Sequence, residues 1–371
     1  MTGNRPRQVC GAAVLTCLLS AAVPVPAVVS QPRCDQPAFG DPLPVDLPLP
    51  HDLSTGHGVG VAVVDTGASA PGVVTDRPGD GDRCQLHGTA VAGTLRSVAP
   101  ASRIVSVRQG DGDRDTTVAD LVSAIDRARS GADGHGVRIM NISVIACDDT
   151  AELRASVAAA EDAGLLLVAA AGNSGQCQDG QTPYPAALPG VLTVGGVDPR
   201  HGTDLDAGRR PADYSVPGDW VDLYAPGGPV SAPLDTPGPD GQPQVRTIVG
   251  DPSPFSGTSF AAPVVAGAAA LVWQVRPELT AAQVRALLVS TAEPGVVPVV
   301  SPVAAVGAAL DLGGAPEHER HAAADRVGYA VPTEVPVVRA VDVSRDLRVP
   351  LLLAVAVAVA VLTGVVVRAH R

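Results

Sequence analysis

The 371-residue chain contains no lysine, so all 26 of its basic side chains are arginine, and 38 Asp and Glu outnumber them to leave a formal net charge of −12. A protein that follows a phosphate backbone needs a basic patch, so this surplus of carboxylates argues against nucleic acid as a partner. Aromatic residues are scarce as well, with three Phe, four Tyr and two Trp. Ala, Val and Leu must therefore fill most of the core, with close helix-to-sheet contacts at Gly and Ala. No two cysteines stand in C-x-x-C spacing, which disfavours zinc. No internal repeat is present.

Two long apolar runs lie near the ends. Residues 1–30 carry Arg5 and Arg7, then an apolar run over 9–29 closing in small residues, the pattern of a signal peptide cleaved after Ala27 or Ser30. Cleavage discards Cys10 and Cys17 and leaves Cys34, Cys84, Cys147 and Cys177. Four cysteines in an exported chain suggest two disulfides, with three pairings open. Residues 349–367 are uncharged and apolar on every side, with Arg345 and Arg348 before them and Arg368 and Arg371 after. That run is long enough to span a bilayer and has no polar face to present to water. With an export signal upstream, the expected arrangement is a single-pass protein of the cell membrane, its body outside and residues 368–371 as a cytoplasmic tail.

Between these runs, residues 31–57 read as a proline-rich extension draped over a domain at 58–312, and 313–348 read as a linker. Strands are expected at 59–64, 104–107, 138–145, 165–170 and 191–194, and helices at 117–129 and 152–163, the latter capped by Asp149. Residues 198–256 look mostly like loop. A helix follows to about Val275, then another at 280–290 whose Thr280 and Gln283 have capping-box spacing. Strands alternating with helices imply an α/β domain with a mostly parallel sheet covered on both faces, and functional groups at the carboxyl ends of its strands. Asp65 and Asn173 are so placed.

Three motifs carry the chemistry. VAVVDTG puts Asp65 behind an apolar strand, HGTAVAG holds His87, and GTSFAAP holds Ser259 in the first turn of a helix with its hydroxyl expected to be exposed. A serine is a poor nucleophile near neutral pH unless a histidine takes its proton, and a buried carboxylate orients that histidine. A fourth motif, AAAGNSG, places Asn173 to donate to an oxyanion together with the Ser259 N–H.

This order of Asp, His, Asn and Ser resembles the subtilisin family of serine proteases, and the match extends through Tyr184-Pro185-Ala186, Val194-Gly195 and Ala225-Pro226-Gly227. Within it the chain is similar to the mycosins, membrane-anchored proteases of type VII secretion. The resemblance implies a subtilisin-like three-layer domain followed by a transmembrane helix, with Asp65, His87 and Ser259 as triad and Asn173 in the oxyanion hole. It implies protein or peptide substrates, a secretion membrane complex as partner and no cofactor; calcium sites occur in subtilisins, but no clear acidic loop here reproduces one, so no metal is assigned. It further suggests pairing Cys34 with Cys84 and Cys147 with Cys177. Asn141-Ile142-Ser143-Val144 resembles the family's substrate-binding strand, which commonly continues into Gly; here Ile145 follows, so Ser143, Val144 and Ile145 are candidate substrate contacts. A second function, a structural cap that stabilises the secretion complex with cleavage secondary, is compatible with the same residues. His51, His57, His135 and His201 lack metal-like spacing and read as loop residues, and Trp220 and Trp273 read as packing.

Overall fold

The computed structural model describes residues 37–76, 86–110, 116–178, 180–197, 210–238 and 240–314. The signal and membrane-span readings, Cys34, Cys84 and His201 lie outside these described residues. In chain order the strands are β1 (Ala38–Phe39), β2 (Gly60–Asp65), β3 (Val74–Thr75), β4 (Arg103–Arg108), β5 (Val137–Ile142), β6 (Leu166–Ala170), β7 (Leu192–Val197), β8 (Leu223–Pro226), β9 (Ala232–Pro237) and β10 (Pro243–Val249). The helices are α1 (His87–Val98), α2 (Val118–Ser130), α3 (Ala132–His135), α4 (Ala151–Asp162), α5 (Thr258–Val275), α6 (Ala281–Ser290) and α7 (Pro302–Gly314).

Seven strands form a parallel sheet in the order β3-β4-β2-β5-β6-β7-β8. Side chains alternate across a strand, and here both sides are dry. On β2, Val61 and Val63 join one core and Ala62 and Val64 the other; on β6, Leu166, Val168 and Ala170 oppose Leu167 and Ala169. The first core is closed by α1, α5, α6 and α7, the second by α2 and α4. Near-continuous apolar strands are what two covered faces demand.

The chain runs from β2 to one side of the sheet through β3 and β4, then returns to place β5 on the other side of β2. Such a reversal leaves a crevice at the carboxyl ends of the two strands where the connections part. Asp65 ends β2, and Ser143 follows β5.

Several local expectations are corrected. The third predicted strand stops at Ile142, because beyond Ser143 N–H, which still donates to Val64 O at 3.3 Å, the chain leaves the sheet and Ala146 instead pairs with Tyr184. Thr150, not Asp149, caps α4 by accepting from Leu153 N, while Asp149 pairs with Arg154. The segment read as mostly loop contains β8, β9 and β10; β9 and β10 form an antiparallel sheet with β1, whose partner strand lies far away in sequence. Helix α7 has no counterpart among the expected elements. Among the described residues α5 alone is long and apolar enough to cross a membrane, but it is buried over 89% of its length and is the central core helix.

Residues 37–57 are bound into the domain. Val45, Leu47 and Leu49 pack against the first core. Gln274, in the last turn of α5, accepts through Oε1 from Ser54 Oγ at 3.1 Å and from the N–H groups of Thr55 and His57, each at 2.8 Å. This clamp lies about 22 Å along α5 from Ser259, at a rise of ~1.5 Å per residue. Gln274→Ala leaves the Thr55 and His57 N–H groups without their acceptor, while Ser54 Oγ keeps Leu271 O at 2.8 Å, and is expected to destabilise the domain by about 1–3 kcal/mol. Urea unfolding checks this, together with faster proteolysis within 37–57 than in wild type.

Candidate active site

The carboxyl ends of β2 and β5 meet the first turns of α1 and α5, which carry His87 and Ser259. Asp65 is fully buried, and its Oδ1 accepts from Thr66 N–H at 2.7 Å and faces His87 Nδ1 at 2.8 Å. An ionised carboxylate can only accept, so Nδ1 carries a proton, and in the neutral imidazole Nε2 is then the nitrogen with the lone pair. The Asp65 side chain is 1% exposed and that of His87 36%, so the pair reaches from the core to the cleft.

The residue after His87 has to be glycine. A Cβ on Gly88 would lie 2.1 Å from Gly67 O and 3.0 Å from Asp65 Oδ1. With no side chain there, the Asp-Thr-Gly turn packs directly on the start of α1, and Gly88 N–H donates to Thr66 Oγ1 at 3.1 Å. Closeness of the two segments sets the His87–Asp65 bond.

Ser259 enters through Gly257, whose φ of 153° only glycine adopts without strain and whose N–H donates to Gly227 O at 2.7 Å. Ser259 is 6% exposed, so the expectation of an exposed hydroxyl is corrected: α5 dives into the core at once and the 143 segment covers it. Its Oγ donates to Ser143 O at 3.1 Å, and Ser143 Oγ donates to Ser259 O at 2.8 Å. Ser259 O is free for that bond because its helical partner would be the N–H of residue 263, and Pro263 has none. Asn141 Nδ2 in turn donates to Ser143 Oγ at 2.9 Å. Ser143 thus grips the Ser259 residue from both sides.

Asn173 reaches the same helix from the carboxyl end of β6. Its Oδ1 accepts from Thr258 N–H at 3.0 Å and from Thr258 Oγ1 at 3.1 Å. Gly257 has no side chain to cap α5, so Asn173 does so across 85 residues of sequence. With Oδ1 committed, the amide NH2 is the end left for the cleft, beside a helix N-terminus whose dipole favours negative charge.

Sequence reasoning missed Thr66, Asn141, Thr258 and Pro263. Each flanks a motif residue by one to four positions or sits two before Ser143, and only the folded contacts distinguish a supporting hydroxyl from a solvated one.

Val144 and Ile145 lie beside Ser259 with no backbone hydrogen bond among the described residues. Val144 and Ala146 pack into the second core, so Ile145 turns the other way. Its Cδ1 would stand 3.6 Å from a Cβ on Gly172, and Pro183 Cγ 3.0 Å from it. Cys147–Cys177, with Cα atoms 5.5 Å apart, ties this segment to the loop after Asn173. Among the described residues no group of three or more His, Cys, Asp or Glu gathers to hold a metal ion.

Comparison with known proteins bears on this arrangement. The model of the subtilase family matches residues 56–329. Mycosin-4 of Mycobacterium tuberculosis is 36% identical over 67% of this chain and 62% of its own length, and Mycosin-1 of the same organism is 32% identical over 65% of each. The chain therefore aligns with just under two thirds of the length of these curated relatives. A solved structure of MycP1, described as a serine protease and an essential component of the type VII (ESX-1) secretion system, is 29% identical with a TM-score of 0.58, over 74% of this chain and 93% of that one.

Proposed function

Because the chain belongs to the subtilase family, we propose that it is a membrane-anchored, extracytoplasmic serine endopeptidase associated with type VII secretion. The observation that carries this reading is the His87 Nδ1–Asp65 Oδ1 contact at 2.8 Å beside the first turn of α5. In the reaction, rotation about the Ser259 Cα–Cβ bond moves Oγ from Ser143 O to His87 Nε2. His87 takes the proton as Oγ attacks the scissile carbonyl, Asp65 stabilises the imidazolium, and the same proton passes to the leaving amine. The tetrahedral oxyanion receives hydrogen bonds from Asn173 Nδ2 and Ser259 N–H. A water then repeats the sequence to release the acid. The anchor and the secretion role are supported by the apolar runs at 9–29 and 349–367 and by the likeness to mycosins.

An extended substrate pairs with the unbonded backbone of Val144 and Ile145, and the side chain before the scissile bond then falls toward Gly172. Ile145 and Pro183 occupy that space, which favours Ala, Gly or Ser at this position. Ile145→Gly is expected to raise kcat/KM for substrates with Leu or Phe there by about 10- to 100-fold, the scale of a few methylenes in a pocket. A peptide library with that position varied reads the change.

The decisive test is fluorophosphonate labelling of the full-length chain in detergent. Wild type is expected to label, and Ser259→Ala and His87→Ala are not. Labelling of folded Ser259→Ala would place the reactive serine elsewhere, and no labelling of folded wild type would overturn the peptidase reading.

A further inference from the structure

Phe255 and Phe260 are two of only three Phe in the chain, and they lie on either side of the turn that delivers Ser259. Phe260 is 3% exposed, and its ring centroid lies 5.2 Å from that of the His87 imidazole with the planes inclined at 49°. Behind it Phe255 stands at 5.8 Å, also inclined at 49°. Both separations fall in the range of favourable aromatic contact.

Neither α1 nor α5 has a side-chain hydrogen bond capping it from its own N-cap residue. Thr66 holds the first turn of α1 and Asn173 and Ser143 hold that of α5, but these bonds fix the backbones and leave the orientation of the His87 ring to Asp65 and to the packing around it. A ring tied to Asp65 through Nδ1 can still pivot about that contact, and pivoting carries Nε2 away from the nucleophile. Phe260, directly after Ser259 on the same helix, lies against the imidazole and stands in the way of a swing toward it. Phe255 limits the retreat of Phe260; its own backbone is pinned where Val230 N–H donates to Phe255 O at 3.0 Å. We infer that Phe260, backed by Phe255, is a positioning residue that holds the His87 imidazole in line with Ser259. The inference rests on the peptidase reading for its kinetic consequence, though not for the contact itself.

The test uses the full-length chain with ring-13C histidine and the variants Phe260→Leu, Phe260→Tyr and Phe255→Leu. Leu keeps an apolar side chain but loses the ring, and Tyr keeps the ring. Phe260→Leu is expected to lower kcat and the fluorophosphonate labelling rate about tenfold with KM nearly unchanged, whereas Phe260→Tyr stays within about twofold. Phe255→Leu, which leaves the Phe260 ring in place, is expected to lose about threefold and serves if Phe260→Leu does not fold. The His87 ring resonance, identified among eight histidines by its loss in His87→Ala, is expected to move in Phe260→Leu as the neighbouring ring current disappears. Equal rates in wild type and Phe260→Leu, equal losses in the Leu and Tyr variants, or an unmoved His87 resonance would overturn the proposal. If wild type itself resists the probe, the peptidase reading fails, while the resonance still decides whether the Phe260 ring lies against His87.

Discussion

Ser259→Ala is expected to lower kcat for peptide hydrolysis by on the order of a millionfold, the size measured for the equivalent loss in subtilisin, while leaving the fold intact. The two effects separate because of what Oγ does at rest. It makes one neutral hydrogen bond, to Ser143 O at 3.1 Å, worth about 1 kcal/mol. The bond that holds α5 in place, from Ser143 Oγ to Ser259 O, uses the backbone and survives the substitution. Thermal unfolding should therefore shift by only a few degrees while turnover disappears. In the producing organism the same variant divides the two functions: loss of secretion along with proteolysis supports cleavage as the required act, and secretion that persists assigns the domain a structural part in the complex.

The second large effect falls on Asn173. Asn173→Ala is expected to lower kcat by about 10²- to 10³-fold with KM little changed, as befits a donor that binds the oxyanion and not the ground-state carbonyl. That range comes from the corresponding residue of subtilisin. Here the alanine variant should also lose about 1 kcal/mol of stability, because Oδ1 caps Thr258 at the start of a helix that cannot cap itself. Asn173→Asp distinguishes the two roles. A carboxylate retains the cap and places negative charge favourably at a helix N-terminus, but it brings an acceptor where the oxyanion needs a donor. Stability close to wild type with activity lost at least as far as in Asn173→Ala is the expected pair of results, read by urea unfolding and steady-state kinetics. Asn173→Asp with wild-type kcat would remove Asn173 from the reaction.

Legibility in the sequence followed the range of the interactions. The parallel sheet was readable because strands dry on both faces become short apolar runs, and five of its seven strands announced themselves that way. Strand β8 did not, because it lies in a stretch dominated by Gly, Pro and Asp. Strand β10 lies between β1 and β9 and its first four residues are exposed, while β9 alternates buried with half-buried residues along its first half, so neither forms an apolar block. The capping of α6 by Thr280 and Gln283 is local and was legible; the choice of Thr150 over Asp149 was not, because the difference is which of two neighbours has extended backbone dihedrals and which is drawn to Arg154.

At the site the same division holds. The sequence by itself determined the candidates: an acid behind a strand, a histidine followed by a glycine, a serine near a glycine at a helix start, and an asparagine in a Gly-rich turn. Those features depend on backbone conformations and close approaches that only certain residue types permit, so they leave a mark within a few positions. Only the tertiary structure decided what each side chain does: that Asn173 caps α5, that Ser143 supports Ser259, that Ile145 narrows the space over Gly172, and that Phe260 meets His87. Each of these is a contact between groups that the chain separates by tens to more than a hundred residues or places on different helices, and a distance of a few ångströms between them exists only once both cores have closed.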